Sequence, residues 1–247
     1  MVDGWCSVEE LVQWGFAHSS VVMANEAHNG LARCIRTREV GVRMIEAAHD
    51  AGVRRLAMEA LPWPAEDSPG PIWAVPEVPG GYLAQPDMRR LITVALEKGW
   101  SLWAYEAVIE AAASTDPAEL LSIEFTNWRE REQAANLCKV LAAAPAEPLL
   151  VWCGNGHAYK AAIDDWVPMG WHFRTTSGVD PFVIDQTVTV AFDCPPQPWV
   201  RAMLAPLGEI LAHHGGTVGI LRDQAPAPLN SQADVDALVV STENTLT

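Results

Sequence analysis

The sequence predicts an α/β fold: a mostly parallel central sheet with helices on both faces, in a single domain spanning residues 1–247. Three observations predict it. Short, β-rich apolar runs alternate with longer stretches of helical spacing, the order that parallel strands joined by crossover helices require. At 247 residues the chain can bury a sizeable core. Apolar residues make up 49% and charged residues 19%, which excludes a disordered chain. A strand followed by "NEAH" and a later strand followed by "GNGH" form a faint echo, so two loosely similar halves are one form this class can take.

The elements follow in order. Ser7, with Glu9 and Glu10 behind it, reads as the N-cap and first turn of a short helix. "SSVVMAN" (19–25) is the first core strand. The stretch 30–52 spaces Leu31, Ile35, Val42, Ile45 and Ala48 along one helical face, and Gly52 stops it. "RLAMEA" (55–60) is the second strand. Residues 86–99 form a helix with Pro86 at its start and Gly99 at its end. "SLWAYEA" (101–107) is the third strand and its exit. A long helix runs over 116–145, capped by Asp116, with Pro117 in its first turn and Pro145 at its end. "PLLVWC" (148–153) is the fourth strand. "AAIDDWVPMG" is expected to start a helix that stops near Pro168. Residues 181–192 alternate in β fashion, "WVRAMLAPLGEILAHHGG" is helical up to Gly215, and "TVGILR" and "VDALVVS" are late strands.

Between the second strand and the helix at 86 lies the loop 61–86, which contains seven prolines and so cannot be regular structure. Its Trp63, Ile72, Trp73 and Tyr82 are expected to make it a packed lid.

The charge balance narrows the function classes. A net charge of −15 repels phosphates, so nucleic acid and anionic membrane are not expected partners. No run approaches the roughly 18 apolar residues of a membrane span, and "MVDGWCSVEELVQWG" has acids where a signal peptide needs bases. Five scattered cysteines without a C-x-x-C pair fit reduced thiols, so a cytoplasmic location is expected. The apolar loop could serve equally as a dimer surface, which keeps a homodimer open.

In an open α/β sheet, ligands bind beyond the carboxyl ends of the strands. All four strand exits deliver groups capable of acid–base chemistry: Glu26 and His28 after the first, Glu59 after the second, Tyr105 and Glu106 after the third, Asn155 and His157 after the fourth. Glu59 stands out because "LAMEAL" puts a carboxylate inside an apolar run, where a charge must be paired, metal-bound or functional. In "LLVWCGNGHAYK" a buried strand ends in two glycines that let the chain turn and hang His157 over the same rim. This predicts that His28 and His157 approach each other. In the long helix, Arg129 and Arg131 lie on different faces, so one can reach the rim while the other stays in water. Cys153, inside the apolar run, reads as a buried thiol rather than a nucleophile.

Two chemistries suit this set. A Glu can act as general base on a water while a His or Tyr stabilises or protonates the leaving group. Alternatively His28, His157, Glu26 and Glu59 hold one divalent metal that activates the water. The residues therefore imply no cofactor or a single metal ion. H-E-x-x-H, G-x-S-x-G, G-x-G-x-x-G and P-loop patterns are absent.

The segments "VVMANEAHNG", "GVRRLAMEAL", "SLWAYEA", "NWREREQAANLCKVLAA" and "LLVWCGNGHAYK" together resemble the erythromycin esterase-like, ChaN-like and TraB/Tiki superfamily. The matching positions are Glu26, His28, Glu59, Arg129, Glu130, Asn136, Gly154 and His157, over roughly 19 to 160; Asn25 stands where the family usually has Gly. The resemblance implies an α/β fold with the His turns and Glu residues in one cleft. It implies hydrolysis of an ester by Glu- and His-activated water, a metal-dependent peptidase using the same positions, or surface haem binding. On this reading the chain is a hydrolase-type enzyme cleaving an ester, amide or peptide bond of a small molecule, natural product or modified peptide. Glu26, His28, Glu59, His157, Arg129, Tyr105 and Glu106 would carry the catalysis. Asn155, Trp63, Trp73 and Glu130 would bind substrate. A lyase or isomerase using the same acid–base groups, or a binding protein for haem or another apolar cofactor, are the competing expectations.

Overall fold

The computed structural model describes residues 4–27, 31–63, 70–77, 81–108, 119–190, 198–227, 229 and 234–242, with backbone alone for 31–33, 189–190 and 198–205. Among them are helices α1 (Val8–His18), α2 (Leu31–Asp50), α3 (Pro86–Glu97), α4 (Ile123–Ala143), α5 (Met169–Ser177) and α6 (Pro198–His213). The strands are β1 (Val21–Asn25), β2 (Arg55–Met58), β3 (Ser101–Ala104), β4 (Leu149–Cys153), β5 (Phe182–Asp185), β6 (Thr189–Val190), β7 (Thr217–Leu221) and β8 (Ala237–Thr242). They form one sheet in the order β3-β2-β4-β1-β5-β8-β6, all parallel, with β7 added antiparallel to β8. The predicted α/β class holds.

Side-chain alternation splits the core into two layers. Val22, Ala24, Leu56, Leu150 and Trp152 point to the side of α1, α2 and α3. Val21, Met23, Ala57, Leu149 and Val151 point to the side of α4, α5 and α6. The strands are buried on both faces, as a doubly covered parallel sheet requires.

Local chemistry explains most boundaries. Ser7 and Glu10 form a reciprocal capping box at α1. Ser122, not Asp116, caps α4, its hydroxyl accepting from the Phe125 N–H at 3.1 Å; Asp116 and Pro117 lie outside the described residues. Arg55 of β2 is buried against the C-terminus of α4. Its guanidinium donates to the Val140 and Ala144 carbonyls and lies 5.1 Å from the centre of the Trp103 ring. A buried cation there answers the negative end of the helix dipole.

One expectation fails. No helix covers residues 161–168; Ile163 and Trp166 instead exchange backbone hydrogen bonds in a tight reversal. The helix begins after Pro168, because proline suits the start of a helix and not its end.

The crossovers place a topological switch point between β1 and β4. The chain leaves β1 toward the α2 face and leaves β4 toward the α5 face, although β1 and β4 are neighbours. Loops that diverge from adjacent parallel strands open a crevice at their carboxyl ends.

Candidate functional site

At this edge β1 and β4 run in register, with Asn25 beside Cys153, and the Glu26 N–H donates to the Cys153 carbonyl at 2.9 Å. The two turns that the sequence singles out therefore leave the sheet side by side. His28 lies outside the described residues, and so does its distance to His157.

The turn after β4 is built around Gly156. Its φ is +86°, and a Cβ there would meet the Trp166 ring at 2.6 Å, so both conformation and packing call for glycine. His157 follows, with its side chain 16% exposed. Its Nδ1 lies 2.6 Å from Glu130 Oε1. Glu130 is fully buried and collects two further donors, the Trp166 indole N–H at 3.0 Å and the Met169 N–H at 2.7 Å. Three donors thus satisfy the buried carboxylate. That carboxylate fixes the imidazole with Nδ1–H toward it, leaving Nε2 without a hydrogen bond among the described residues. Burial pulls the His157 pKa down, but the Glu130 hydrogen bond and the charges of Glu59 and Glu130 outweigh it. The result is raised above the ordinary imidazole value.

Glu59 is a second carboxylate at this edge. Its side chain is 15% exposed; Oε2 accepts the Gly154 N–H at 3.0 Å and Oε1 lies 4.0 Å from Arg129. Its negative charge acts on His157, Tyr105, Cys153 and Arg129, so it sits electrically at the centre of the rim.

The remaining candidates are scaffolding. Glu106 receives Arg129 through two hydrogen bonds, Gln133 Nε2 at 2.9 Å and the Ala107 N–H at 2.7 Å. Asn136, one turn further along α4, donates to the Tyr105 and Glu106 carbonyls. Arg129, Gln133 and Asn136 thus clamp the chain as it leaves β3. Arg129 reaches the rim and Arg131 stays exposed, as their spacing predicts.

Several assigned roles change. Glu26 is not an open general base: it is fully buried, paired with Arg38 Nε at 3.0 Å, and accepts the Trp152 indole N–H at 3.1 Å. Arg38, equally buried, continues to Asp87 at 2.6 Å, to Gln85 and to the face of Tyr82. Glu26 therefore anchors the first turn to the foot of the Pro-rich loop. Tyr105 does not face a substrate; its buried hydroxyl donates to the Trp152 carbonyl at 3.0 Å, and burial drives its pKa well up. Glu130 orients His157 rather than contacting substrate. Glu106 and Arg129 pair with each other first.

Of the substrate-binding candidates, Trp63 is at the rim, donating to the Glu106 carbonyl at 3.0 Å, and Asn155 is exposed on its turn. Trp73 is 66% exposed and follows Ile72, which pairs with Leu102 in the middle of edge strand β3. That part of the loop seals a sheet edge rather than covering the crevice. Cys153 is buried with its pKa pushed well up, as expected of a core thiol. Among the described residues no three His, Cys, Asp or Glu side chains are grouped to hold a metal ion; the proposed ligand set includes His28, which falls outside them. No helix among the described residues is long and apolar enough to cross a membrane.

No protein-family model matches the chain, and no curated protein matches it. Solved structures do. One described as bacterial protein toxins is 16% identical, with a TM-score of 0.47, over 74% of this chain and 37% of that one. RRSP, a MARTX toxin effector domain from Vibrio vulnificus CMCP6, is 14% identical, with a TM-score of 0.47, over 73% and 36%. The type III effector HopBA1 is 12% identical, with a TM-score of 0.47, over 96% and 94%. The chain spans little more than a third of the length of the first of these structures.

Sequence reasoning missed Arg38, Asp185 and Trp166. Asp185, at the exit of β5, is buried and accepts from Asn25 Nδ2 at 2.9 Å and from the Thr187 N–H and hydroxyl. Asp185 carried a legible signal, a carboxylate closing the apolar run "PFVID"; Arg38 and Trp166 carried none, because only the fold brings them to the rim.

Proposed function

We propose that the chain is a hydrolase-type enzyme that cleaves an ester, amide or peptide bond, with Glu59 as general base and His157 as general acid. The observation that carries this reading is the imidazole of His157, oriented by buried Glu130 and lying within the field of Glu59. A carboxylate and an imidazole held at the same strand exits can act as an acid–base pair. A raised imidazole pKa favours the protonated ring, whose Nε2–H can donate, and the Glu59 carboxylate offers an acceptor.

In this mechanism Glu59 takes a proton from water as the water oxygen attacks the carbonyl carbon. The tetrahedral adduct collapses, the C–O or C–N bond breaks, and His157 Nε2–H protonates the departing oxygen or nitrogen. Loss of the Glu59 proton to solvent and uptake of one by His157 reset the site. Glu106, Arg129, Gln133 and Asn136 hold the wall, and Trp63 lines the entrance. The resemblance to the erythromycin esterase-like and TraB/Tiki proteins agrees with this reading, since its Glu and His positions include Glu59 and His157. A divalent metal, if one binds, would call on His157, Glu59 and His28 and would polarise the attacked carbonyl.

The test is a turnover screen against esters and modified peptides with the wild type, Glu59→Gln and His157→Ala. Each substitution should lower kcat by about 10²–10⁴ while the fold is retained. Turnover that survives both substitutions would refute the assignment.

A further inference from the structure

At the opposite edge of the sheet, where β1, β5 and β8 begin, the structure holds a cavity of about 1060 Å3. That is at the upper end of the size range of small-molecule pockets. One wall is aromatic. The Trp14 indole stacks on the His18 imidazole with ring centres 3.8 Å apart, and the Phe182 ring lies 5.2 Å from the indole. His18 Nδ1 lies 2.7 Å from the Trp14 carbonyl, which pins the stack. The other wall carries Asp180, Asp223, Asp234 and Asp236, with Arg222 as the cation in the lining.

The ion pairs leave part of that negative charge open. Buried Lys160 lies 2.7 and 2.8 Å from the two Asp236 oxygens and 3.4 Å from Asp180, which Arg174 also meets at 3.2 Å. Arg222 Nη1 lies 3.3 Å from Asp234 Oδ1. Asp223 makes no ion pair among the described residues.

We propose that this cavity binds an organic cation with a flat apolar body, its charged end toward Asp223 and Asp234 and its body along Trp14. Two independent features converge on that chemistry. The aromatic wall offers flat apolar contact to the body, and the carboxylates in the same lining attract a cation while repelling anions. The cleft's aromatic lining supplies the apolar contact that a simple surface acid lacks. The site lies across the sheet from His157 and does not depend on the proposed hydrolysis.

Isothermal titration of the full chain with three probes of one shape tests this: phenethylamine, 2-phenylethanol and phenylacetate. Phenethylamine should bind with one-to-one stoichiometry, about tenfold tighter than 2-phenylethanol, and phenylacetate should give no saturable heat. Asp223→Asn, a change at an exposed position, and Trp14→Phe should each weaken phenethylamine several-fold, and His157→Ala should not. Trp14→Phe keeps an aromatic ring against Phe182, and an unchanged thermal midpoint would verify its fold. Equal binding of amine and alcohol, indifference to Asp223→Asn, or no saturable heat from phenethylamine would each overturn the proposal.

Discussion

Removing the Glu130 carboxylate tests the central geometry of the crevice. Glu130→Ala strands three donors, the buried Met169 N–H and the part-buried His157 Nδ1 and Trp166 indole N–H. A buried donor left without a partner costs roughly 1–3 kcal/mol. With partial relaxation the variant should lose about 3–5 kcal/mol, similar to breaking a buried ion pair. Glu130→Gln keeps the volume and one acceptor, so about 1–3 kcal/mol is expected. Urea denaturation of both variants measures this. The titration of His157, followed by the NMR shift of its Cε1 proton, gives a second readout. Without the Glu130 charge, burial dominates and the His157 pKa should fall below its wild-type value. In the wild type the folded-state pKa lies above the unfolded value of about 6.5. The pair's stabilisation is therefore complete below about pH 6.5 and fades as pH rises through the folded pKa. Catalysis that needs the protonated imidazole should decline through the same window. An unmoved His157 pKa in Glu130→Gln, or a loss below about 1 kcal/mol in Glu130→Ala, would refute this account.

Three further outcomes are expected. Arg38→Met removes the buried cation paired with Glu26 and should cost about 3–5 kcal/mol, while the double variant Glu26→Gln/Arg38→Met should recover much of the loss; a double-mutant cycle with no coupling energy would contradict the buried pair. Gly156→Ala forces a side chain into positive φ and against Trp166, and should cost about 1–3 kcal/mol with a change in tryptophan emission; a neutral effect would disprove the turn. Cys153 should resist thiol reagents in the native protein and react after denaturation, since burial raises its pKa and encloses it; rapid native labelling at Cys153 would count against the buried assignment.

Local sequence carried the strands, the caps and the acid–base inventory. Apolar runs such as "LLVWC" become strands buried on both faces, and Ser7 caps α1, because these depend on residues a few positions apart. The expectation for 161–170 failed because Pro168 was read as an end when its chemistry marks a beginning. Charged residues were legible as participants but not as roles. Glu26, Glu59, Glu106 and Glu130 look alike along the chain, yet Arg38 buries the first, Gly154 holds the second near the rim, Arg129 neutralises the third and His157 engages the fourth. Composition and spacing thus determined that this protein is a doubly covered parallel sheet with acids and histidine at its strand exits. Only the tertiary structure decided which carboxylate is open, because a charge acquires its role from partners brought within a few ångströms by segments up to 160 residues distant, as Asn25 is from Asp185.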